Sequence, residues 1–240
     1  MLNSTTVCNH VWEEHNNKFI CRECGKSKLV FTDGKGVRDN GRPYTKKANK
    51  DRFLFPSEYM KFEDVLKSKQ KFSVKFLINT GCRIDESKNV IVQDIDLANR
   101  RLVFRKTKTK ATKGEEEGKP RIIPISTQFA KFLKRYIAIK RLKPQDKLGV
   151  LSNNALNTAY KIAAKKAKIK DPQDISSHTF RKTLEVWLMS LGVADIPLTA
   201  HLGHDIRTAA SHYVSPDIFT WDDRKSMRLI IGDLYERRER

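Results

Sequence analysis

Across the 240 residues no apolar run approaches the roughly 20 residues that a membrane-spanning helix requires. The first residues, Met-Leu-Asn-Ser-Thr-Thr, lack the basic and then apolar pattern of an export signal. No internal repeat and no long low-complexity tract is present, which excludes solenoid and array architectures. These absences lead to the expectation of a cytoplasmic protein without a membrane partner. Cysteine is scarce too: there are 4, of which Cys8, Cys21 and Cys24 crowd beside His10 while Cys82 stands apart. In a reducing compartment that clustering suits a metal better than disulfides.

Negative charge is in deficit, with 28 Asp and Glu against 48 Lys and Arg, a net +20. Such a balance favours a polyanion over a small acidic substrate. The excess is uneven. Residues 111–170 hold 15 basic and 4 acidic side chains, whereas 171–240 hold 9 and 11. A basic region beside a near-neutral one is what backbone-phosphate binding needs, because each neutralised phosphate releases counterions. A solvated Lys-rich surface would give the same sum. The stretch Lys161 to Lys170 would also suit a basic helix lying on a membrane, although Ala-rich Lys helices more commonly form a face of a globular domain.

Residues 1–32 form a Cys/His-rich block. Residues 33–52, with Gly34, Gly36, Gly41 and Pro43 among many charges, read as a linker. From Phe53 to residue 240 the pattern is that of one globular domain. Phe72, Val74, Phe76, Leu77 and Ile78 predict a buried helix ending at Thr80-Gly81, where glycine can take the left-handed cap conformation, and a short helix after it. Two β-rich runs around Asn99 and a third at Arg121-Ile-Ile-Pro predict three strands, with a basic loop, Lys106-Thr-Lys-Thr-Lys, between the second and third. Helical spacing returns at Phe129 to Ile137 and again from Leu156 to Ala163, where Asn153 or Asn154 is the expected cap. Residues 177–235 read as largely helical, with breaks at Gly192, Gly203 and Pro216. The expected fold class is mainly α with a small three-stranded antiparallel sheet, preceded by a small zinc ribbon or knuckle.

Four of the 6 histidines, His178, His201, His204 and His212, share one stretch with Arg181 and Tyr213. On a helix His178 and Arg181 share a face. Taken alone, the pair is equally a polar surface patch. Arg83 and Glu86 are likewise three apart, just after Gly81; their bland reading is a surface ion pair of Arg83 with Glu86 or Asp85, worth about 0–1 kcal/mol. Tyr213 follows His204 by nine positions, about two and a half turns, so one continuous helix would set them on opposite faces. A helix ending at Gly203-His204, with Asp205 capping the next, would let them meet. Singly, Tyr213 is a packing aromatic.

In their order these signals form one set: Thr80-Gly-x-Arg83-x-x-Glu86, His178-x-x-Arg181, Leu202-Gly-His204, and Tyr213. Over roughly residues 53–235 the set resembles the tyrosine recombinase, or phage integrase, family. The resemblance implies a DNA breaking and rejoining enzyme acting in site-specific recombination or integration of a mobile element, on double-stranded DNA, as a homo-oligomer on DNA (a tetramer by analogy). It implies Tyr213 as nucleophile, Arg83 and Arg181 on the phosphate oxygens, His178 as general base, His204 as a phosphate hydrogen-bond donor and Glu86 as an orienting group. It also places the catalytic lysine on the basic hairpin. The Lys-Thr context before the Arg-x-x-Pro strand assigns Lys108, with Lys106 and Lys110 as competitors. Catalysis needs no cofactor. The implied tail after Tyr213, with Phe219, Trp221, Leu229, Ile230, Ile231, Leu234 and Tyr235, docks on a neighbouring subunit or packs on its own domain.

Cys8-x-His10, ten intervening residues, and Cys21-x-x-Cys24-Gly25 supply four ligands and a knuckle glycine for a structural Zn2+. Two knuckles joined by a hairpin would explain how so short a block folds. His15 is the alternative ligand, and scattered reduced cysteines the plain one. Cys82 reads as a buried thiol. Family members usually carry a helical DNA-binding domain before the catalytic one, and here only about 50 residues precede it. The expectation is that the zinc module supplies the second grip on DNA or a protein contact, or that a partner is needed. Two other functions stay open: a zinc-containing DNA-binding or regulatory protein with a recombinase-like domain, and a type IB topoisomerase-like relaxing enzyme. The first would tolerate loss of site residues, yet all are present.

Overall fold

A computed structural model describes residues 52–105, 120–203 and 218–236 and, nearer the N-terminus, 12–15, 18–22, 27–29, 35–37 and 43–45. The chain divides into two compact units, 1–49 and 50–240. In the first, β1 (Trp12–His15), β2 (Lys18–Cys21) and β3 (Ser27–Leu29) form an antiparallel sheet in that order. The segment expected to be a linker contains a further antiparallel pair, β4 (Lys35–Val37) with β5 (Pro43–Thr45). Strands of three residues, one holding a glycine and one a proline, leave almost no alternating signal in a sequence.

The second unit is mainly helical with one small sheet. Its elements are α1 (Pro56–Asp64), α2 (Ser68–Thr80), α3 (Ile84–Ser87), β6 (Ile95–Asp96), β7 (Arg101–Phe104), β8 (Arg121–Pro124), α4 (Thr127–Lys140), α5 (Asn153–Lys166), α6 (Ser177–Ser190), α7 (Asp195–Leu202) and α8 (Trp221–Ile231). Strands β6, β7 and β8 pair antiparallel in chain order, with Leu102 opposite both Ile95 and Ile123. Leu102, Phe104 and Ile123 are buried while Arg101 and Ile122 face outward, the alternation expected of a sheet packed on one face.

Helix α6 is the centre of the core. Every residue from Thr179 to Leu188 is buried, so the charged ones among them need partners inside the protein. Lys182 lies 3.4 Å from Glu185. Phe180 packs between Phe62 and Tyr160, with ring centroids 5.5 and 4.9 Å away. The Trp187 indole donates to Leu54 O at 3.0 Å, and Leu54 N donates to Thr183 Oγ1 at 3.0 Å, which fastens the segment before α1 onto α6. The cap of α5 is Ser152, not Asn153 or Asn154. Asn153 is instead engaged across the fold, its Oδ1 accepting from Ser177 Oγ at 3.0 Å at the start of α6.

The tail packs on its own domain. Phe219, Met227, Ile231 and Leu234 are buried, whereas Trp221 and Leu229 are 71% and 78% exposed. The Asp233 carboxylate accepts from Thr127 N and Thr127 Oγ1, both at 2.6 Å, and from Arg100 Nη1 at 3.1 Å, tying the tail to the first residue of α4. His201, on α7, closes the same seam from inside. Its Nε2 lies 3.0 Å from Thr80 O, which can only accept, so that nitrogen carries the proton and Nδ1 accepts from the Tyr235 hydroxyl at 3.2 Å. Among the described residues no helix is long and apolar enough to cross a membrane.

Burial holds His201 neutral, pushing its pKa down to about 3 against the pull of the Thr80 carbonyl, with Arg121 and Arg181 adding to the depression. The unfolded chain binds that proton near 6.5, so the stability His201 confers is complete above pH 6.5 and is lost as the pH falls toward 3. Unfolding free energies from pH 7.5 to 4.5 are expected to fall more steeply for the wild type than for His201→Gln, by up to about 1.4 kcal/mol per pH unit; parallel curves would contradict this. A second comparison concerns two left-handed glycines, Gly192 (φ +82), whose added Cβ would meet open space, and Gly203 (φ +68), whose Cβ would strike the Arg121 guanidinium. Alanine at either costs about 1–2 kcal/mol in backbone strain, and urea unfolding is expected to show a larger loss at Gly203. Equal losses would mean that Arg121 yields freely.

Candidate active site

The site is built on the turn that ends α2. Gly81 takes the left-handed conformation (φ +57) and its N–H closes the helix on Leu77 O at 2.8 Å. A Cβ there would lie 2.7 Å from Leu202 and 2.9 Å from Leu184, so α6 and α7 both press against this turn and only glycine fits beneath them. The turn's carbonyls are then taken by side chains from those two helices. Thr80 O binds His201, and Gly81 O accepts from Arg181 Nη1 at 2.8 Å. Cys82, next in line, is a buried thiol whose pKa burial pushes up to about 12. It has no nucleophilic character at neutral pH.

Arg83 caps α3. Its backbone N–H donates to Glu86 Oε2 at 2.8 Å, and its Nη1 reaches Glu86 Oε1 at 3.3 Å. Glu86 is also gripped from the sheet side by Arg121, the first residue of β8, through Nη2 on Oε2 at 2.8 Å and Nη1 on Oε1 at 3.3 Å. That is the fork geometry in which guanidinium binds carboxylate best. The Arg121 guanidinium lies over the Phe104 ring, 5.1 Å from its centroid. Arg83 Nη2 in turn donates to Gly203 O at 3.3 Å, at the end of α7. Gly203 is therefore bound at its carbonyl by Arg83 and covered at its Cα by Arg121.

Among the described residues the charges of this cluster do not balance. Arg83, Arg121 and Arg181 gather near the single carboxylate of Glu86, and burial followed by repulsion from Arg83 and Arg121 lowers the Arg181 pKa to about 10. Arg181 therefore remains cationic at neutral pH. The Glu86 side chain is 2% exposed, Arg121 10% and Arg83 33%, so Arg83 is the member of this group that most readily meets an incoming anion. The carboxylate engages both Nη atoms of Arg121 and one of Arg83, leaving an excess of positive charge among the described residues that suits a phosphate group.

The structure thus brings Arg83, Glu86 and Arg181 together around one turn. His178 lies one helical turn before Arg181 on α6 and is exposed, while the carbonyl of Gly203, immediately before His204, is held by Arg83. His204 and Tyr213, the hairpin lysines Lys106, Lys108 and Lys110, and Cys8, His10 and Cys24 lie outside the described residues. The hairpin's roots are described, and each is fixed by an arginine on a buried carboxylate: Arg105 on Asp94 before the loop and Arg121 on Glu86 after it. Arg121 is a member of the site that the sequence offered only as part of an Arg-x-x-Pro strand. Its signal was an arginine beginning a strand straight after the basic loop, in a register that faces inward.

Comparison with known proteins places this arrangement. A model of the phage integrase family matches residues 45–218. The tyrosine recombinase XerA of Saccharolobus solfataricus is 34% identical over 155 residues, covering 63% of this chain and 48% of that protein. A tyrosine recombinase of Pseudothermotoga lettingae is 28% identical over 166 residues, covering 68% and 55%. The chain spans about half the length of these curated relatives. Among solved structures, the XerA recombinase superposes with a TM-score of 0.54 at 17% identity over 78% of this chain and 66% of that one. The Tn1549 transposon integrase in complex with transposon right end DNA gives 0.56 at 19% over 77% and 67%, a likeness of fold. With the family match running from the end of the first unit through the whole arginine site, the chain belongs to the phage integrase, or tyrosine recombinase, family.

Proposed function

We propose that this chain cuts and rejoins double-stranded DNA through a 3′-phosphotyrosyl intermediate formed on Tyr213, in site-specific recombination or integration of a mobile element. The observation that carries the reading is the excess of guanidinium over carboxylate among the described residues at the Thr80–Arg83 turn. Arg83 and Arg181 bind the non-bridging oxygens of the scissile phosphate and stabilise the charge that accumulates as it becomes pentacoordinate. His178 takes the phenolic proton as the Tyr213 oxygen bonds to phosphorus. The bond from phosphorus to the 5′ oxygen breaks, and that oxygen receives a proton from Lys108, or from Lys106 or Lys110 on the same loop. His204 donates a hydrogen bond to a phosphate oxygen. The phosphotyrosyl bond conserves the energy of the broken one, so a 5′ hydroxyl can reverse the step without a nucleotide cofactor.

In this reading the protein acts as a homo-oligomer on DNA, a tetramer by family resemblance. The exposed Trp221 and Leu229 of α8 are apolar surface available to such a neighbour. The N-terminal unit holds a structural zinc through Cys8, His10, Cys21 and Cys24. What supports that assignment is the spacing of the four side chains and the pairing of Trp12 with Cys21 in the described part of the sheet. Zinc there would supply stability that so small a sheet lacks.

On a nicked duplex that loses the strand beyond the scissile phosphate, the wild type is expected to accumulate a covalent protein–DNA band and Tyr213→Phe none. A band from the Phe variant, or none from the wild type on any cognate terminus, would contradict the assignment. Zinc measured on the purified chain is expected near one per molecule and to fall toward zero in the Cys21→Ser/Cys24→Ser variant. Stoichiometric zinc in that variant would exclude the site.

A further inference from the structure

We propose that Arg121 is a positioning residue for strand cleavage, acting through Glu86 to hold the Arg83 guanidinium on the scissile phosphate. This rests on the reading of the site as a phosphodiester cleavage site. Each Arg121 Nη donates to a Glu86 oxygen and the side chain is only 10% exposed, so burial, more than spent donors, keeps its guanidinium from DNA. Its Nε is buried without a hydrogen-bond partner among the described residues. An arginine kept in so poor an environment is held there by its fork on Glu86. The same two oxygens set the Arg83 backbone and Nη1, while Arg121 covers the Cα of Gly203, whose carbonyl takes Arg83 Nη2. Remove Arg121, and Glu86 is left with a partly solvated partner alone. Its carboxylate then turns toward water and carries Arg83 with it. Lysine keeps the charge and loses the fork, so it does not restore the geometry.

The position of Arg121 at the root of the basic hairpin gives a competing role, in which it steadies the lysine that protonates the leaving oxygen. Chemistry separates the two. A substrate whose 5′ bridging oxygen is replaced by sulfur has a leaving group that needs no proton, and so bypasses the lysine.

Single-turnover adduct formation by the full chain on a nicked duplex would be compared for wild type, Arg121→Gln, Arg121→Lys, Arg83→Lys and the Arg83→Lys/Arg121→Gln pair, with DNA affinity and melting temperature for each. Both Arg121 variants are expected to react about a hundredfold more slowly, the loss that a displacement near 1 Å produces, while binding DNA as the wild type does. The pair should be no slower than Arg83→Lys, and the defect should persist on the sulfur substrate. Wild-type rates in Arg121→Gln, losses that multiply in the pair, or rescue by sulfur would each overturn the proposal. Crystal structures of wild type and Arg121→Gln test it without cleavage, so that failure of the cleavage reading is seen separately. Arg83 is expected to leave Gly203 O in the variant, and an unmoved Arg83 would refute the proposal even if the chain cuts DNA.

Discussion

The Glu86 carboxylate is the constraint around which the catalytic unit is arranged. A buried anion is costly unless its oxygens are met by good donors, and Glu86 is met by a helix-cap N–H and by two arginines from different parts of the chain. Meeting that need fixes much else. Arg83 must begin α3, which requires α2 to stop two residues earlier at a left-handed glycine. Arg121 must begin β8, which brings that strand against the end of α7. The end of α7 must come close enough for Gly203 to be bound by Arg83 and covered by Arg121, and a side chain there would push the cluster apart.

Arg181 supplies the other half of the arrangement from within the core. On most buried helices a charged residue is a defect. On α6 it is tolerated because its fork ends on the Gly81 carbonyl, at the turn where Arg83 begins, and because the neighbouring Glu86 offsets part of the repulsion among three guanidinium groups. What remains, among the described residues, is an excess of positive charge fixed in place before any ligand arrives. Such preorganisation is the feature that distinguishes a site for phosphate chemistry from a basic surface, where flexible lysines would have to be ordered at the moment of binding.

Parts of this were legible in the residues. Thr80-Gly81 marked the end of α2 because few other sequences place glycine straight after an apolar helical run, and the hairpin was legible from β-rich runs around Asn99 and before Pro124. The pairing of Arg83 with Glu86 followed from helical spacing. Local pattern could not reveal that Glu86 also binds Arg121, because the two lie 35 residues apart in the chain and no periodicity connects them. The same reason hid Asn153, whose side chain serves the start of α6 while Ser152 caps its own helix, and His201, one of four neighbouring histidines until its two ring nitrogens are seen to join Thr80 to Tyr235. The tail's apolar residues were visible as such. Whether they turn inward or toward a neighbour depends on surfaces far away in sequence, and Phe219, Ile231 and Leu234 turn inward.

In the proposed reaction the arginine cluster holds the phosphate and Tyr213 attacks it. The most direct measurement is the mass of the tryptic peptide spanning residues 208–224, in which Tyr213 is the one tyrosine, recovered from protein incubated with a nicked duplex and digested with nuclease. The account predicts that peptide carrying a nucleotide through its 3′ phosphate on Tyr213. A nucleotide linked to any other residue, or attached through its 5′ phosphate, would contradict it.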